Sequence, residues 1–280
     1  MDYRPIGIFD SGFGGLTVFR EIVELLPQYD YIYLGDNART PYGTRSFETV
    51  YNYTRESVSK LFEEGCPLVI LACNTASAKA LRTIQQKDLM KVDPALRVLG
   101  VIRPTAEIIG KHTSTGKIGV LATSGTVRSD SYRIEIGNQY PELEVYQQEC
   151  PMWVPLIENG EHLTSGADFY VKKYVDQLMN EAPDIDCVLL ACTHYPLLMD
   201  KIKQHLPEHV NVISQGEIVA ASLKDYLSRH SAMEKTCSKG GTRKFYTTDD
   251  TGRFDESASV FFGSDVKSEF CAIPRLGFEG

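Results

Sequence analysis

Residues 68–76 read LVILACNTA, and residues 188–196 read VLLACTHYP. Each is an apolar run that ends in Ala-Cys and passes into small hydroxyl or amide residues of the kind that cap helices. A short apolar run followed by a helix start is the pattern of a strand buried on both faces of a parallel sheet. Ligands bind such sheets at the carboxyl ends of their strands. Cys73 and Cys192 therefore occupy the same kind of strand-to-helix turn in two separate stretches of chain. A second pair of strings accompanies them: IGIFDSG at 6–12 resembles IGVLATSG at 118–125. Two related halves are expected, each with an opening strand-turn and a later Cys-bearing turn. Two matched thiols suggest one acid and one base.

Outward from these turns, short runs rich in Val and Ile predict strands at 5–10, 30–35, 67–72, 97–102, 117–123, 143–147, 185–191, 210–214 and 244–248. Between them lie amphipathic stretches. Over 46–64, Phe47, Val50, Tyr51, Thr54, Val58, Leu61 and Phe62 recur at helical spacing and predict a helix with one buried stripe, and another helix is expected over 16–26. Strand, helix, strand in repeated order implies an α/β fold of mostly parallel sheet flanked by helices. The Asp93-Pro94 stretch and residues 207–211 are candidate crossings between domains. The expected division is 1–96 plus 210–264 for a discontinuous first domain, 97–209 for the second, and a tail at 265–280. Residues 228–242, polar and Gly-containing, read as an exposed loop, and the chain after Ser264 shows no usable periodicity.

A net charge of −8 argues against a non-specific nucleic-acid binder, because phosphate contact relies on a surplus of Lys and Arg. An anionic small substrate would have to be held locally, by backbone N–H groups and helix N-termini. No apolar run reaches 18 residues, so a membrane span is not expected. The opening MDYRPIGIFDSG lacks the order of a signal peptide, which predicts a cytoplasmic protein. Seven widely spread cysteines then read as free thiols.

The glycine-rich turn FDSGFGG, 9–15, is neither GxGxxG nor a P-loop, and its glycines allow close backbone approach to a ligand. Asp10 stands at the carboxyl end of its strand, as a helix cap or as a functional carboxylate. GDNARTPYG, 35–43, is a second strand-end loop able to offer backbone donors. Both thiols, at helix starts, are expected to have lowered pKa values. His194, two residues after Cys192, is placed to exchange a proton with it or with substrate. Cys and His are also zinc ligands, but no CxxC pair occurs, and neither a structural zinc nor a redox motif is expected. His112, His162, His205, His209 and His230 lie outside any such constellation.

With these strings assembled, the chain resembles the glutamate racemases of the cofactor-independent aspartate/glutamate racemase superfamily. The matching strings are IGIFDSGFGGLTV, GDNARTPYG, VILACNTASA, IGVLATSGTV, VPLIENG, LLACTHYPLL and FYTTDD, spread from residue 6 to 250. The resemblance implies two α/β domains of similar topology with the substrate, glutamate, in the cleft between them and no cofactor or metal. It implies that Cys73 and Cys192 are catalytic thiols on opposite faces of the substrate Cα. Cys73 would deprotonate the D-isomer and Cys192 the L-isomer. Asp10 and His194 correspond to the partners assisting Cys73 and Cys192, and Glu158 to a carboxylate near the second thiol. Asp10, Ser11, Tyr42, Gly43, Asn74, Thr75, Thr193 and His194 match substrate-binding positions, with Thr123 and Thr126 as further candidates. The product would be D-glutamate for peptidoglycan synthesis. Monomer or homodimer is left open. One departure stands out: where the family commonly has an acidic residue after a strand isoleucine, this chain has Ile213-Ser214-Gln215-Gly216.

Three competing readings remain. Aspartate is the closest alternative substrate. A thiol hydrolase using a Cys192–His194 dyad would leave Cys73 without a role. A two-lobed amino-acid-binding protein would share the cleft but have no use for paired thiols.

Overall fold

The computed structural model describes residues 3–274, within which ten strands form two parallel sheets. The strands are β1 Ile6–Asp10, β2 Tyr31–Gly35, β3 Leu68–Leu71, β4 Arg97–Gly100, β5 Lys117–Ala122, β6 Glu144–Glu149, β7 Cys187–Ala191, β8 Asn211–Ile213, β9 Arg243–Thr247 and β10 Ser268–Phe270. The first sheet has the order β10-β9-β2-β1-β3-β4 and the second β6-β5-β7-β8. Within the first, β1 to β4 stand in the order two, one, three, four, and β5 to β8 repeat that order in the second. The likeness of IGIFDSG to IGVLATSG thus reflects equivalent strands, β1 and β5. In each lobe the order reverses beside that opening strand, which is where an open α/β sheet forms its ligand crevice. Cys73 and Cys192 follow β3 and β7, the strands on the other side of that reversal.

Burial explains the apolar runs. β1, β2, β3 and β7 are buried at every position, as strands covered on both faces must be. Helix Leu16–Leu25 has no side-chain cap and no charged residue at either end suited to its dipole, yet it buries Leu16, Thr17, Val18, Phe19, Ile22 and Val23. A cap contributes about 1 kcal/mol, whereas each large apolar side chain removed from water contributes about 2 kcal/mol, so packing decides this helix. It lies against helices Gly216–Arg229 and Thr251–Phe262. Helix Phe47–Glu63 starts at Ser46, whose hydroxyl accepts from the Thr49 N–H at 3.1 Å. Its predicted stripe needs one change: Phe47 is exposed, while Glu56 and Ser57 are buried where the Arg39 guanidinium reaches them.

Both crossings between the lobes come a strand later than the expected boundaries. β4 pairs with β3 in the first sheet, although 97 was the expected start of the second domain, and β8 pairs with β7 in the second sheet, although 210 was the expected return. The chain crosses at Val101 and again at 214–216. The loop expected at 228–242 contains helix Ser231–Thr236, and the tail expected at 265–280 contributes β10, parallel to β9. Residues 275–280 of that tail lie outside the described residues. No helix among the described residues is long and apolar enough to cross a membrane.

Candidate active site

A cavity between the two sheets is walled by strand-end loops of both lobes. Ser11, Tyr42, Gly43, Cys73, Asn74, Thr75, Thr123, Cys192, Thr193 and His194 all line it. Asp10 and Thr126 are buried just behind this wall, and Glu158 reaches it through His194. The expected site residues are therefore one constellation. The wall also includes Thr40, Pro41, Thr44, Ser124, Cys150, Pro151, Val154 and Pro155, none of which the sequence reading singled out. Cys150 directly follows β6, so the strand-end rule applied there too.

The glycine-rich turn is shaped by contacts. Gly12 N–H donates to Asp10 Oδ2 at 2.9 Å, and the Tyr33 hydroxyl donates to the Gly12 carbonyl at 2.8 Å. Asp10 is no helix cap: the following helix begins at Gly15 without a side-chain cap. A Cβ at Gly14 would lie 2.3 Å from both His194 Nδ1 and Thr193 Oγ1, and one at Gly15 would lie 2.5 Å from Asp10 Cβ. Only glycine lets this backbone pass between Asp10 and His194. The Thr17 hydroxyl, 2.9 Å from the Thr193 carbonyl, ties the turn to the other lobe.

The two thiols have unequal surroundings. Cys73 caps helix Asn74–Lys79, its sulfur accepting from the Ala76 N–H at 3.4 Å and donating to the Ser11 hydroxyl at 3.5 Å. Cys192 precedes a single tight turn of helix, Tyr195–Leu198. Its Sγ lies 3.9 Å from His194 Nδ1, and His194 Nε2 lies 3.0 Å from Glu158 Oε1.

The expected lowering of the thiol pKa does not hold at Cys73. Burial, followed by the nearby Asp10 charge, pushes it up to about 12, against the opposing bonds from Ser11 and Ala76. A six-residue helix cannot offset the desolvation of a buried thiolate. Burial also raises the Asp10 carboxyl, with the His194 charge and the Gly12 and Gly15 N–H groups pulling the other way. At His194 burial pulls the imidazole down, but hydrogen bonds to Cys192 and Glu158 and their charges outweigh it and hold the group up at about 10. The second thiol thus faces an imidazolium at neutral pH, and the first is a protonated thiol.

Further hydroxyls and amides stand at the cavity wall and just behind it. The Thr75, Thr123 and Thr126 hydroxyls lie 3.0 to 3.4 Å apart across the lobes, and the Gly125 N–H donates to the Gly43 carbonyl at 2.7 Å. Behind the loop carrying Tyr42, its hydroxyl donates to Asp36, which also accepts from Arg39 at 2.6 Å. Among the described residues no three of His, Cys, Asp or Glu group in a way that could hold an ion. The chain's HxxxH spacing, His205 to His209, falls across the end of helix Met199–His205 rather than along one helical face.

A sequence profile described as Asp/Glu/Hydantoin racemase matches residues 6–223. A glutamate racemase of Persephonella marina is 41% identical over 97% of this chain and 98% of its own. Among solved structures, a glutamate racemase isoform from Bacillus anthracis superposes with a TM-score of 0.88 at 35% identity, covering 98% of this chain and 99% of that one. A glutamate racemase from Francisella tularensis, solved in complex with D-glutamate, gives 0.86 at 30% identity over 98% and 99% of the two chains.

Proposed function

The chain belongs to the Asp/Glu/hydantoin racemase family and is an amino-acid racemase, and from that premise we propose that it interconverts L- and D-glutamate through two thiols without a cofactor. The observation carrying this reading is that matching strand ends of two like-ordered sheets bring Cys73 and Cys192 to the wall of one cavity. Inverting a stereocentre requires a proton to leave one face of Cα and another to arrive on the opposite face, so a base and an acid must flank it. From L-glutamate, the Cα proton passes to Cys192 Sγ while the Cys73 thiol delivers its proton to the other face and is left as thiolate. From D-glutamate the roles exchange.

Asp10 and Ser11 support Cys73, and the Glu158-bound imidazolium of His194 supports Cys192. The carbanionic transition state is stabilised by preorganised donors around the substrate carboxylate, among them Asn74, Thr75, Thr193 and the Thr123–Thr126 hydroxyls. The product would be the D-glutamate used in peptidoglycan synthesis, and the chain would act in the cytoplasm. The domain division that fits this chemistry is one lobe per thiol, with the C-terminal strands joined to the first.

Purified protein treated with chelator and free of pyridoxal phosphate is expected to racemise glutamate at full rate, followed by circular dichroism. In D₂O, deuterium is expected in the product enantiomer before it enters recovered substrate. Activity lost on chelation and restored by metal would reject the cofactor-free mechanism, and faster turnover of aspartate would reassign the substrate.

The His194 environment adds a pH signature. Its pKa is raised from 6.5 to about 10, so the imidazolium persists above the ordinary histidine range and is lost only as pH rises through about 10. The kcat/KM for L-glutamate is therefore expected to fall on that alkaline limb. Glu158→Gln removes one of the two groups that raise the pKa, so the limb should move to lower pH by about one unit. An alkaline limb that stays in place in Glu158→Gln would separate Glu158 from this proton relay.

A further inference from the structure

Where the chain crosses between lobes, three buried polar side chains close a hydrogen-bonded circuit. The Tyr132 hydroxyl donates to Asn74 Oδ1 at 2.5 Å, Asn74 Nδ2 donates to Gln215 Oε1 at 2.7 Å, and Gln215 Nε2 donates back to the Tyr132 oxygen at 2.6 Å. Gln215 Nε2 also lies 2.9 Å from Thr105 Oγ1 and 3.2 Å from the Val101 carbonyl. Tyr132 and Thr105 are fully buried, Asn74 and Gln215 nearly so.

The three-membered circuit taken alone could run in either sense, with both amides flipped. The crossing segment removes that freedom. The Val101 carbonyl can only accept, and the Thr105 hydroxyl spends its proton on that carbonyl at 3.0 Å. The Gln215 atom facing both must be nitrogen. Tyr132 must then donate to Asn74, and Asn74 must turn its oxygen to Tyr132 and its nitrogen to Gln215. An amide nitrogen carries two N–H bonds, which leaves Asn74, the residue after Cys73 and part of the cavity wall, one further donor.

The partners come from both lobes. Asn74 starts a helix of the first, Tyr132 lies on helix Ser131–Gln139 of the second, and Val101 and Gln215 stand on the two crossings themselves. We propose that Gln215 and Tyr132 are positioning residues that fix the orientation of the Asn74 amide for the substrate carboxylate, closing only when the lobes stand as they do here. The proposal rests on the racemase reading for its substrate. Gln215 fills a buried polar niche that needs an acceptor on one side and a donor on the other, which a carboxylate cannot supply.

Tyr132→Phe keeps the ring and removes the donor to Asn74, and Gln215→Met keeps the length and removes both amide atoms. Each is expected to raise KM for both glutamate enantiomers about tenfold while kcat changes less than about threefold, as loss of uniform substrate binding requires. In an Asn74→Ala background neither substitution should raise KM further, since the three act as one unit. A merely structural role would lower the melting temperature and leave KM alone, and that result, or full additivity with Asn74→Ala, overturns the proposal. A readout without turnover separates it from the functional reading: hydrogen exchange across helix Asn74–Lys79 should quicken in Tyr132→Phe. Unchanged exchange there overturns the clasp whether or not the wild type racemises glutamate. A wild type that does not turn over glutamate, with the exchange change present, overturns only the substrate assignment.

Discussion

Cys73→Ser and Cys192→Ser are each expected to lose racemisation by at least about 10³-fold, because removal of an acid or base acting in the transition state costs 10²- to 10⁴-fold and each direction needs one of both. A serine hydroxyl is far too weak a base to take the Cα proton, although it can still pass one. The informative measurement uses a glutamate bearing chlorine at the β-carbon. Abstraction of its Cα proton expels chloride and gives a dehydroamino acid, which hydrolyses to a keto acid and ammonia. Only the first deprotonation is needed. Cys73→Ser should therefore still eliminate from the L-isomer, using Cys192, and Cys192→Ser from the D-isomer, using Cys73. If neither variant shows this opposite preference, or if Cys73→Ala still racemises, the two-base assignment is wrong and a Cys192–His194 nucleophile regains its standing.

The second large effect is expected from a single methyl group. Gly14→Ala places a Cβ 2.3 Å from His194 Nδ1 and Thr193 Oγ1, well inside van der Waals contact. The imidazole has little room to retreat, being held at 3.0 Å by Glu158 and packed edge-on against Phe261 with ring centroids 5.3 Å apart. Displacement of a catalytic group by about 1 Å costs on the order of 10²-fold in rate, so kcat/KM should fall by that order while the variant remains folded by circular dichroism. Gly12 offers the contrast, since a Cβ there meets nothing closer than 3.5 Å. Gly12→Ala should lose less than about tenfold, since its Cβ enters only ordinary van der Waals contact. Equal losses in the two variants would show that the turn's flexibility matters rather than its approach to His194.

The sequence made most of the sheet legible, since nine apolar runs mark nine of the ten strands. Those of β1, β3 and β7 are rich in Val, Ile and Leu because a doubly covered strand leaves no polar face. β10, Ser268–Phe270, escaped for the converse reason: at the sheet edge only Ser268 is buried, and three residues carry no pattern. Helix Ser231–Thr236 buries none of its side chains, so it has no periodicity to read. The lobe boundaries were misplaced by one strand at each crossing, because the assignment of β4 and β8 to a sheet depends on remote pairing and not on local residues.

Within the site, the duplicated Ala-Cys turns pointed to both thiols, and the geometry gathers their expected neighbours around one cavity. Cys150 was passed over because its strand, EVYQQE, is too polar to read as one end of a ligand crevice. The sign of the Cys73 shift was missed for a physical reason of the same kind. Helix position is local and visible in sequence, whereas burial depends on the whole fold. Gln215 registered only as a departure from pattern, since its four partners lie between 83 and 141 residues away or on the opposite crossing.

Enantiomers have identical free energies in water, so at equilibrium the reaction must give a racemate, and the kcat/KM values of the two directions are bound to be equal. The unlike settings of the two sulfurs, Ser11 beside one and the His194–Glu158 pair beside the other, cannot favour one antipode in that ratio. They can act only on how each direction divides between saturation and turnover. They also govern the enzyme between catalytic cycles. In the proposed two-thiol mechanism each passage leaves the proton on the opposite sulfur from the one that held it at the start, and the next molecule of the same hand must wait until solvent restores the starting form. Cys192 has an imidazole relay for that exchange, whereas Cys73 has the Ser11 hydroxyl with the Asp10 carboxyl nearby, so recharging is the step in which the molecule's asymmetry becomes kinetically visible.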